Sequence, residues 1–93
     1  MLDLHLLHQF SVVAECEHIG RAAMRLHISA SPLSRRIRQL EDNLCLVLFH
    51  RERQRIFLTP VGRRLKADVD KLLAHASRVE VRLSALSTAR PVL

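Results

Sequence analysis

Apolar residues recur at three- and four-residue spacing near the start of the chain, which predicts an amphipathic helix. Asp3 is placed to cap this first helix, and the pattern predicts its end near Glu17 or His18. Cys16 falls on the apolar stripe, so we expect it to be a buried free thiol. The stripe consists of Leu4, Leu7, Phe10, Val13 and Ala14.

Two further helices are predicted between residues 20 and 44. Gly20 is a tolerable N-cap for a short helix over residues 21–26, and residues 27–29 read as a turn. Ser31 and Pro32 then form a strong start signal for a third helix, because serine caps well and proline loses no needed hydrogen bond at the first helical position. Two short helices, a tight turn and a third helix are typical of a helix-turn-helix, here over about residues 19–38.

The third helix is predicted to run to about Leu44 with two different faces. Its inward face consists of Leu33, Ile37, Leu40 and Leu44. Its other face is basic and polar, with Ser34, Arg35, Arg38 and, toward one edge, Arg36.

A two-stranded wing is predicted over about residues 46–58. Residues 46–49 read as a short apolar strand or packed turn, residues 50–54 as an Arg-rich loop, and residues 55–58 as a second strand. The wing completes a mainly α winged helix-turn-helix domain that we place at residues 1–59.

A long final helix is predicted from Pro60 to about Thr88, within a linker segment that we place at residues 60–90. Thr59 and Pro60 repeat the start signal, Gly62 falls in the first turn, and Pro91 closes the pattern. A helix of this length extends roughly 40 Å, too far to lie wholly on a domain of this size. Its apolar residues form a heptad seam of Leu65, Val69, Leu72, Ala76, Val79, Leu83 and Leu86. The seam predicts pairing with a second copy of the chain, with an internal stripe as the alternative.

Positive charge is concentrated in the middle of the chain. The 93 residues contain 15 basic and 9 acidic side chains, a net charge of +6. Residues 19–66 hold eleven basic and three acidic residues, a net of +8, and the remainder has a net of −2. Such a segment fits a polyanion, because neutralised phosphates release condensed counterions. A solvated basic face is the alternative.

Other chemistries find little support in the residue pattern. Cys16 and Cys45 fit neither a disulfide framework nor a zinc signature, and His5 and His8 are not joined by a carboxylate cluster. No nucleophile with a base and no Gly-rich phosphate loop can be separated from ordinary helix surface. We therefore expect no metal, no cofactor and no enzyme activity. The absence of an apolar run of membrane-spanning length and of a signal peptide predicts a cytoplasmic protein.

These segments resemble a known family in their residues and order. The helix-turn-helix of LysR-type transcription regulators is similar to residues 20–42, GRAAMRLHISASPLSRRIRQLED. That family's wing and wing exit are similar to LFHR at residues 48–51 and LTPVG at residues 58–62. The resemblance covers nearly the whole chain.

Several expectations follow from the resemblance. It implies a bacterial homodimer whose linker helices pack antiparallel and whose third helices enter successive major grooves of double-stranded operator DNA with dyad symmetry. Family members usually continue into an effector-binding domain, so we expect this chain to be a fragment and a co-inducer to act only on the full-length protein.

The chain departs from the family pattern at three positions. Ala30 stands where the family often has Gln, and its methyl group suits a thymine methyl rather than a hydrogen-bonding base edge. Cys45 stands where Gly is usual, and a left-handed conformation there would cost ~1 kcal/mol. Val47 stands where a basic residue is common, so one phosphate contact would be missing.

The residues expected to contact DNA form three groups. Arg35 is the best candidate for a bidentate contact to guanine, with a phosphate contact as the alternative. Arg36 and Arg38 are expected to hold phosphate, although Arg36 has Glu41 or Asp42 as alternative partners. At the leading end of the third helix, the further candidates are Ser29, Ala30, Ser31, Pro32 and Ser34. In the wing, the candidates are Arg51, Arg53 and Arg55, which would contact the backbone or the minor groove. The weaker candidates are Arg21 and Arg25.

Two other functions compete with sequence-specific duplex binding by a homodimer. One is a helical oligomerisation module with an incidental basic middle, whose pairing would hardly depend on salt. The other is a winged-helix protein of another kind, such as a nucleoid or RNA-binding factor without base preference.

Overall fold

The computed structural model describes residues 2–88, which form four helices and one two-stranded antiparallel sheet. This arrangement confirms the predicted winged helix-turn-helix followed by a long helix. The predicted Pro91 stop and residues 89–90 of the predicted linker lie outside the described residues. In chain order the elements are α1 (Leu4–Cys16), α2 (Ile19–Leu26), α3 (Ala30–Leu44), β1 (Phe49–Glu52), β2 (Arg55–Leu58) and α4 (Pro60–Thr88).

The helix starts agree with the sequence at α1 and differ at α2. The Asp3 side chain caps α1 by accepting from the backbone N–H groups of His5 and Leu6, at 2.9 and 3.3 Å. The predicted cap Gly20 is wrong, because the Nδ1 atom of His18 accepts the backbone N–H of Arg21 at 3.1 Å and starts α2 two residues earlier. An imidazole nitrogen performs here the task that a serine or aspartate oxygen usually performs.

The start of α3 also differs from the prediction. Ser29 is the N-cap and Ala30 the first helical residue, so Ser31 is not the cap. Pro32 is therefore the third helical residue rather than the first. It is still tolerated there, because the first four N–H groups of a helix have no intrahelical partner.

The wing is a tight hairpin with a two-residue turn. Of the two alternatives for residues 46–49, a strand or a packed turn, the strand applies only to Phe49, where β1 begins, and residues 50–52, predicted as a loop, belong to the ladder. The polar residues pair because only one face of a two-stranded wing needs to be apolar. Arg53 in the turn has φ 53°, the left-handed region that usually favours glycine. β2 agrees with the prediction.

The aliphatic core surrounds α1 and includes two phenylalanines. The rings of Phe10 and Phe49 lie 5.5 Å apart at a tilt of 58°, so the wing packs directly on α1. Cys16 is a free thiol but only half-buried at the edge of this core, so the expected burial is incomplete. Most of the predicted inward faces of α1 and α3 are buried, namely Leu7, Phe10, Val13, Ala14, Leu33, Ile37 and Leu40, whereas Leu4 is 45% exposed and Leu44 is half-buried.

Only the first half of α4 packs on the domain. Val69 is 2% exposed in the core, and Leu65 and Leu73 pack against its edge. Polar contacts add to this packing, because Ser11 Oγ donates to Asp70 at 2.8 Å and Lys66 pairs with both Glu15 and Asp70. The expectation that Val69 faces a second chain is therefore wrong, since its own core already covers it. Leu83 and Leu86, farther along, are 59% and 67% exposed.

The wing and α4 meet at a junction without free space. Thr59 donates its backbone N–H to the Leu48 carbonyl at 2.9 Å and its hydroxyl to the Val47 carbonyl at 2.7 Å. The same hydroxyl accepts the Gly62 N–H at 3.0 Å, which confirms the predicted Thr-Pro start of α4. A Cβ atom on Gly62 would lie 2.2 Å from the Leu48 carbonyl oxygen. Glycine is required here because the backbones approach so closely.

Candidate nucleic-acid interface

The leading end of α3 is open to solvent. Ser29, Ala30 and Ser31 are exposed, and Pro32 is half-buried. Arg35 is exposed one turn farther on, where its Nη1 atom lies 3.5 Å from the Ser31 hydroxyl, the long limit of a hydrogen bond. This end of α3 therefore presents the small side chains of Ser29, Ala30 and Ser31 to solvent, together with the exposed guanidinium of Arg35.

A groove separates α3 from the wing and brings basic side chains together. Ser34 and Arg38 lie on its α3 side, and Arg51, Arg53 and Arg55 on its wing side. The groove lining contains no acidic side chain among the described residues; its other members are His18, Ile19, Gly20, Gln54 and Ile56. Four guanidinium groups around one groove create a positive potential suited to a phosphate chain.

Arg21 extends this positive surface toward α2. It is exposed in the first turn of α2 and lines an adjoining hollow with Arg53 and Arg55, but also with the acidic Glu52; His18 and Gln54 are the other residues of this lining. A helix N-terminus also favours an anion, because its free N–H groups point outward. The hollow connects α2 to the wing tip, so the basic surface continues across both elements.

Arg51 has a structural partner that the sequence did not predict. Its guanidinium lies 3.4 Å from Glu41, and its side chain is 25% exposed. The Glu41 carboxylate also accepts the backbone N–H groups of Leu48 and Phe49 at 2.8 and 3.3 Å. Glu41 thus fixes the start of the wing to the end of α3, and part of the Arg51 charge is already neutralised.

Arg36 lies away from the groove. It borders a pocket near the start of α1 that is also lined by Asp3, His5, Leu6, Gln9 and Gln39. The alternative partners considered for it, Glu41 and Asp42, form no ion pair with it among residues 2–88. Arg36 is exposed, so its charge is available, but on a different side of α3 from Arg38.

Two other arginines of the basic segment are held by acidic residues. Arg55 donates to the Glu17 carbonyl at 3.0 Å, lies 3.8 Å from the Glu17 carboxylate and stacks 5.1 Å from the centre of the Phe57 ring. Arg25 pairs with Glu15 at 2.9 Å. Arg55 therefore attaches the wing to the end of α1, whereas Arg38 and Arg53 line the groove and form no ion pair with any residue from 2 to 88.

Sequence reasoning missed His18 and Gln54 as residues of this surface. Both line the groove and the adjoining hollow. Gln54 follows Arg53 in the hairpin turn, so a two-residue turn assignment would have placed it at the wing tip. His18 had no comparable signal, because histidine is an uncommon N-cap.

The three family departures have visible local consequences. Ala30 is exposed and presents only a methyl group at the first position of α3. Cys45 has φ 55° and ψ 40°, so it takes the left-handed conformation that glycine takes without strain. Val47 is 65% exposed and adds no charge to the wing.

The described residues hold neither a cluster of metal ligands nor a membrane-spanning helix. Between residues 2 and 88, no three His, Cys, Asp or Glu side chains lie close enough together to hold a metal ion. None of the helices in that range has the length and hydropathy needed to cross a membrane.

Comparison with known families finds one match over most of the chain. Residues 4–63 match the model described as the bacterial regulatory helix-turn-helix protein, lysR family. Among curated proteins, the chain is 43% identical over 81 residues to the HTH-type transcriptional regulator XapR of Escherichia coli strain K12. That alignment covers 87% of this chain and 28% of XapR, so the chain spans little more than a quarter of this relative.

Solved structures with the same fold include two protein–DNA complexes. The BenM DNA-binding domain in complex with catB site 1 DNA superimposes with a TM-score of 0.90 at 28% identity, covering 97% of this chain and 100% of that one. The CbnR DNA-binding domain in its DNA complex superimposes with a TM-score of 0.85 at 34% sequence identity. The superposition covers 92% of this chain and 99% of the CbnR chain.

Proposed function

This chain belongs to the lysR family of bacterial helix-turn-helix regulators, and we propose that it binds double-stranded DNA sequence-specifically as a homodimer. In this proposal α3 enters the major groove, and the wing contacts the backbone or minor groove beside it. We place the DNA-binding domain at residues 1–59 and the linker segment that contains the dimerisation helix at residues 60–90.

The observation that supports DNA binding most strongly is the convergence of basic side chains beside a solvent-exposed helix end. Arg38 and Arg53 line the groove and form no ion pair with any residue from 2 to 88, and Arg21 borders the adjoining hollow. Phosphate contacts of this kind orient a protein on the duplex without reading its sequence. The exposed start of α3 lies next to these anchors, where base edges would be within reach.

Base reading is assigned to the leading end of α3. Arg35 has the length and the forked guanidinium needed to donate two hydrogen bonds to O6 and N7 of guanine. Such a bidentate contact contributes ~1–3 kcal/mol of discrimination against the wrong base. Ala30 offers a methyl contact, and Ser34 a phosphate contact or a water-mediated one. The other residues proposed at this end are Ser29, Ser31 and Pro32.

Phosphate binding is assigned to arginines on three elements. Arg38 and Arg53 line the groove without an ion-pair partner among residues 2–88, so they are the principal anchors. Arg51 and Arg55 are partly neutralised by their glutamates and contribute less. Arg21 and Arg36 would reach phosphates on either side of the central contact.

Self-pairing is assigned to the exposed part of the α4 seam. Leu72, Leu83 and Leu86 are exposed, and Ala76 and Val79 are half-buried. Exposed leucines repeating along one helix face are costly in water, and a second copy of the helix would cover them. Leu65 lies at the edge of this surface and the edge of the core.

The test is selection of bound duplexes from a random pool, followed by affinity measurements across a salt series. We expect enrichment of a dyad whose half-sites are one helical turn or more apart, and affinity that falls steeply with salt. Arg35→Ala should relax the preference at one base position. Arg38→Ala should weaken all duplexes alike and reduce the salt slope by about 1.

Arg64→Ala provides the matched control, because Arg64 is an exposed arginine of α4. It should leave base preference and salt slope unchanged. If no sequence were enriched while binding stayed salt-dependent, the protein would be a backbone binder and the base-reading assignment wrong. If nothing bound at low salt, DNA binding itself would be wrong, and an oligomerisation module would become the better interpretation.

A further inference from the structure

His18 borders both the groove and the adjoining hollow. Its half-buried side chain lines the two cavities, and its backbone is bridged to Arg55 of β2. The ring also caps α2, because Nδ1 accepts the backbone N–H of Arg21 at 3.1 Å. The residue is therefore held from both sides, by the wing through its backbone and by α2 through its ring.

The cap determines which ring nitrogen carries the hydrogen. A neutral imidazole has one N–H and one acceptor nitrogen, and the hydrogen bond made at one nitrogen sets the state of the other. Because Nδ1 of His18 accepts from Arg21, the hydrogen of the neutral ring is on Nε2. The ring thus has a fixed donor on the far side from the Arg21 amide.

No residue from 2 to 88 accepts this hydrogen. Nε2 of His18 forms no hydrogen bond there, and the acidic Glu52 of the hollow forms no ion pair with the ring. The other charged side chains that line the two cavities are cationic, namely Arg21, Arg38, Arg51, Arg53 and Arg55. The donor is therefore left to a group from outside the chain, and the group that these arginines attract is an anion.

Gly20 leaves space for the ring in this position. A Cβ atom on Gly20 would lie 3.0 Å from Cε1 and 3.3 Å from Nδ1 of His18. Both distances are shorter than ordinary contact between such atoms, so a larger residue would displace the ring. Gly20 is thus a positioning residue that fixes the direction of the Nε2–H group.

We propose that His18 donates its Nε2–H to a DNA phosphate where the groove meets the hollow, and that Gly20 positions the ring for this contact. The inference rests on the DNA binding proposed above and adds a neutral donor to its arginine contacts. A neutral N–H contributes a hydrogen bond without releasing a counterion, whereas an arginine contributes both. The two kinds of contact therefore differ in their salt dependence.

The test measures the affinity for the enriched duplex across a salt series at about pH 8, where imidazole is uncharged. His18→Ser keeps the cap, because serine is among the best N-cap residues, but its hydroxyl ends well short of the position of Nε2. The dissociation constant should rise about three- to tenfold at every salt concentration, with the salt slope unchanged. The urea midpoint should stay at that of the unaltered chain, since α2 remains capped.

Gly20→Ala tests the positioning role in a double-mutant cycle. In the unaltered chain it should weaken binding about as much as His18→Ser, because the displaced ring loses the phosphate. In a chain that already carries His18→Ser it should have no further effect. Additive losses would contradict the positioning role.

The tautomer is measured separately by two-bond correlation of ring hydrogens and nitrogens in NMR spectra. The hydrogen should be on Nε2, and its signal should shift when the duplex is added. A hydrogen on Nδ1 would contradict the cap and the donor together.

His8→Ser is the matched control, because His8 is an exposed histidine of α1 that borders neither the groove nor the hollow. It should leave the affinity unchanged. If His18→Ser bound the duplex as tightly as the unaltered chain, or reduced the salt slope by about 1 as Arg38→Ala should, the neutral donor would be wrong. An unaltered chain that bound no duplex would instead overturn DNA binding itself, and this inference with it.

Discussion

Gly62→Ala should destabilise the protein through the junction between the wing and α4. The added Cβ would lie 2.2 Å from the Leu48 carbonyl oxygen, short of ordinary contact by roughly 1 Å. Because the obstacle is backbone, α4 and the segment before β1 must separate, which strains the 2.9 Å hydrogen bond from Thr59 to Leu48. Overpacking costs about 1–3 kcal/mol and the weakened bond about 1 kcal/mol, whereas alanine regains about 1 kcal/mol of helix propensity. The net loss is about 2 kcal/mol.

Thermal and urea unfolding measure this effect at a fixed protein concentration, because pairing makes Tm depend on concentration. A loss of about 2 kcal/mol corresponds to a decrease in Tm of about 8–16 °C for a domain of this size. Gly20→Ala is the control, since its Cβ meets only the His18 ring, at 3.0 Å, and if that ring rotates away, the lost cap of about 1 kcal/mol is offset by the helix propensity of alanine, about 1 kcal/mol. Its stability should change by less than about 1 kcal/mol. If Gly62→Ala unfolded at the same urea concentration as the unaltered chain, the close approach to Leu48 would be wrong.

Three further substitutions test other parts of the fold. Cys45→Gly should stabilise by about 1 kcal/mol, since φ is 55° there, whereas Cys45→Ala should give no gain in the same urea titration. Burial raises the pKa of Asp70, but hydrogen bonds from Lys66 and a serine of α1 outweigh it and hold the pKa below its ordinary value of 3.8. A lowered carboxyl pKa stabilises the folded state above about pH 4, and this stabilisation is lost as the carboxylate becomes protonated. The unaltered chain should therefore lose more stability than Asp70→Asn as the pH falls below about 4. Equal losses would contradict the contacts of Asp70 with Lys66 and the serine. Glu41→Gln should destabilise by about 1–3 kcal/mol, because it weakens three contacts at the start of the wing, whereas the exposed Glu52→Gln should be neutral in thermal unfolding.

Much of the architecture could be read from local signals in the sequence. The apolar spacing of α1 and α3 predicted which faces are buried, because helical periodicity alone decides which side chains share a face. Thr59 and Pro60 predicted the start of α4 for a similar reason, since both act within one turn. The basic segment indicated a polyanion partner before any geometry was available.

The boundaries that failed lacked a recognisable signal in the local sequence. β1 begins at Phe49 because Phe49 packs on Phe10 and its N–H group binds Glu41. Neither partner is visible in a local pattern, so the apolar run at residues 46–49 looked like the strand. His18 likewise starts α2 through an unusual ring-nitrogen cap rather than through a recognisable capping residue.

The features of the candidate nucleic-acid interface also fall into two groups, those that follow from the sequence and those that depend on the tertiary structure. The sequence by itself determined which side chains are cationic and that the α3 arginines lie near the surface, since both follow from residue type and helical period. Only the tertiary structure decided which charges remain free: Glu41 neutralises Arg51 from ten residues away, and Glu17 holds Arg55 from thirty-eight. It likewise decided that Val69 belongs to the core of its own chain while Leu83 does not. A heptad repeat specifies an apolar stripe, but what covers each residue depends on where the rest of the chain ends up.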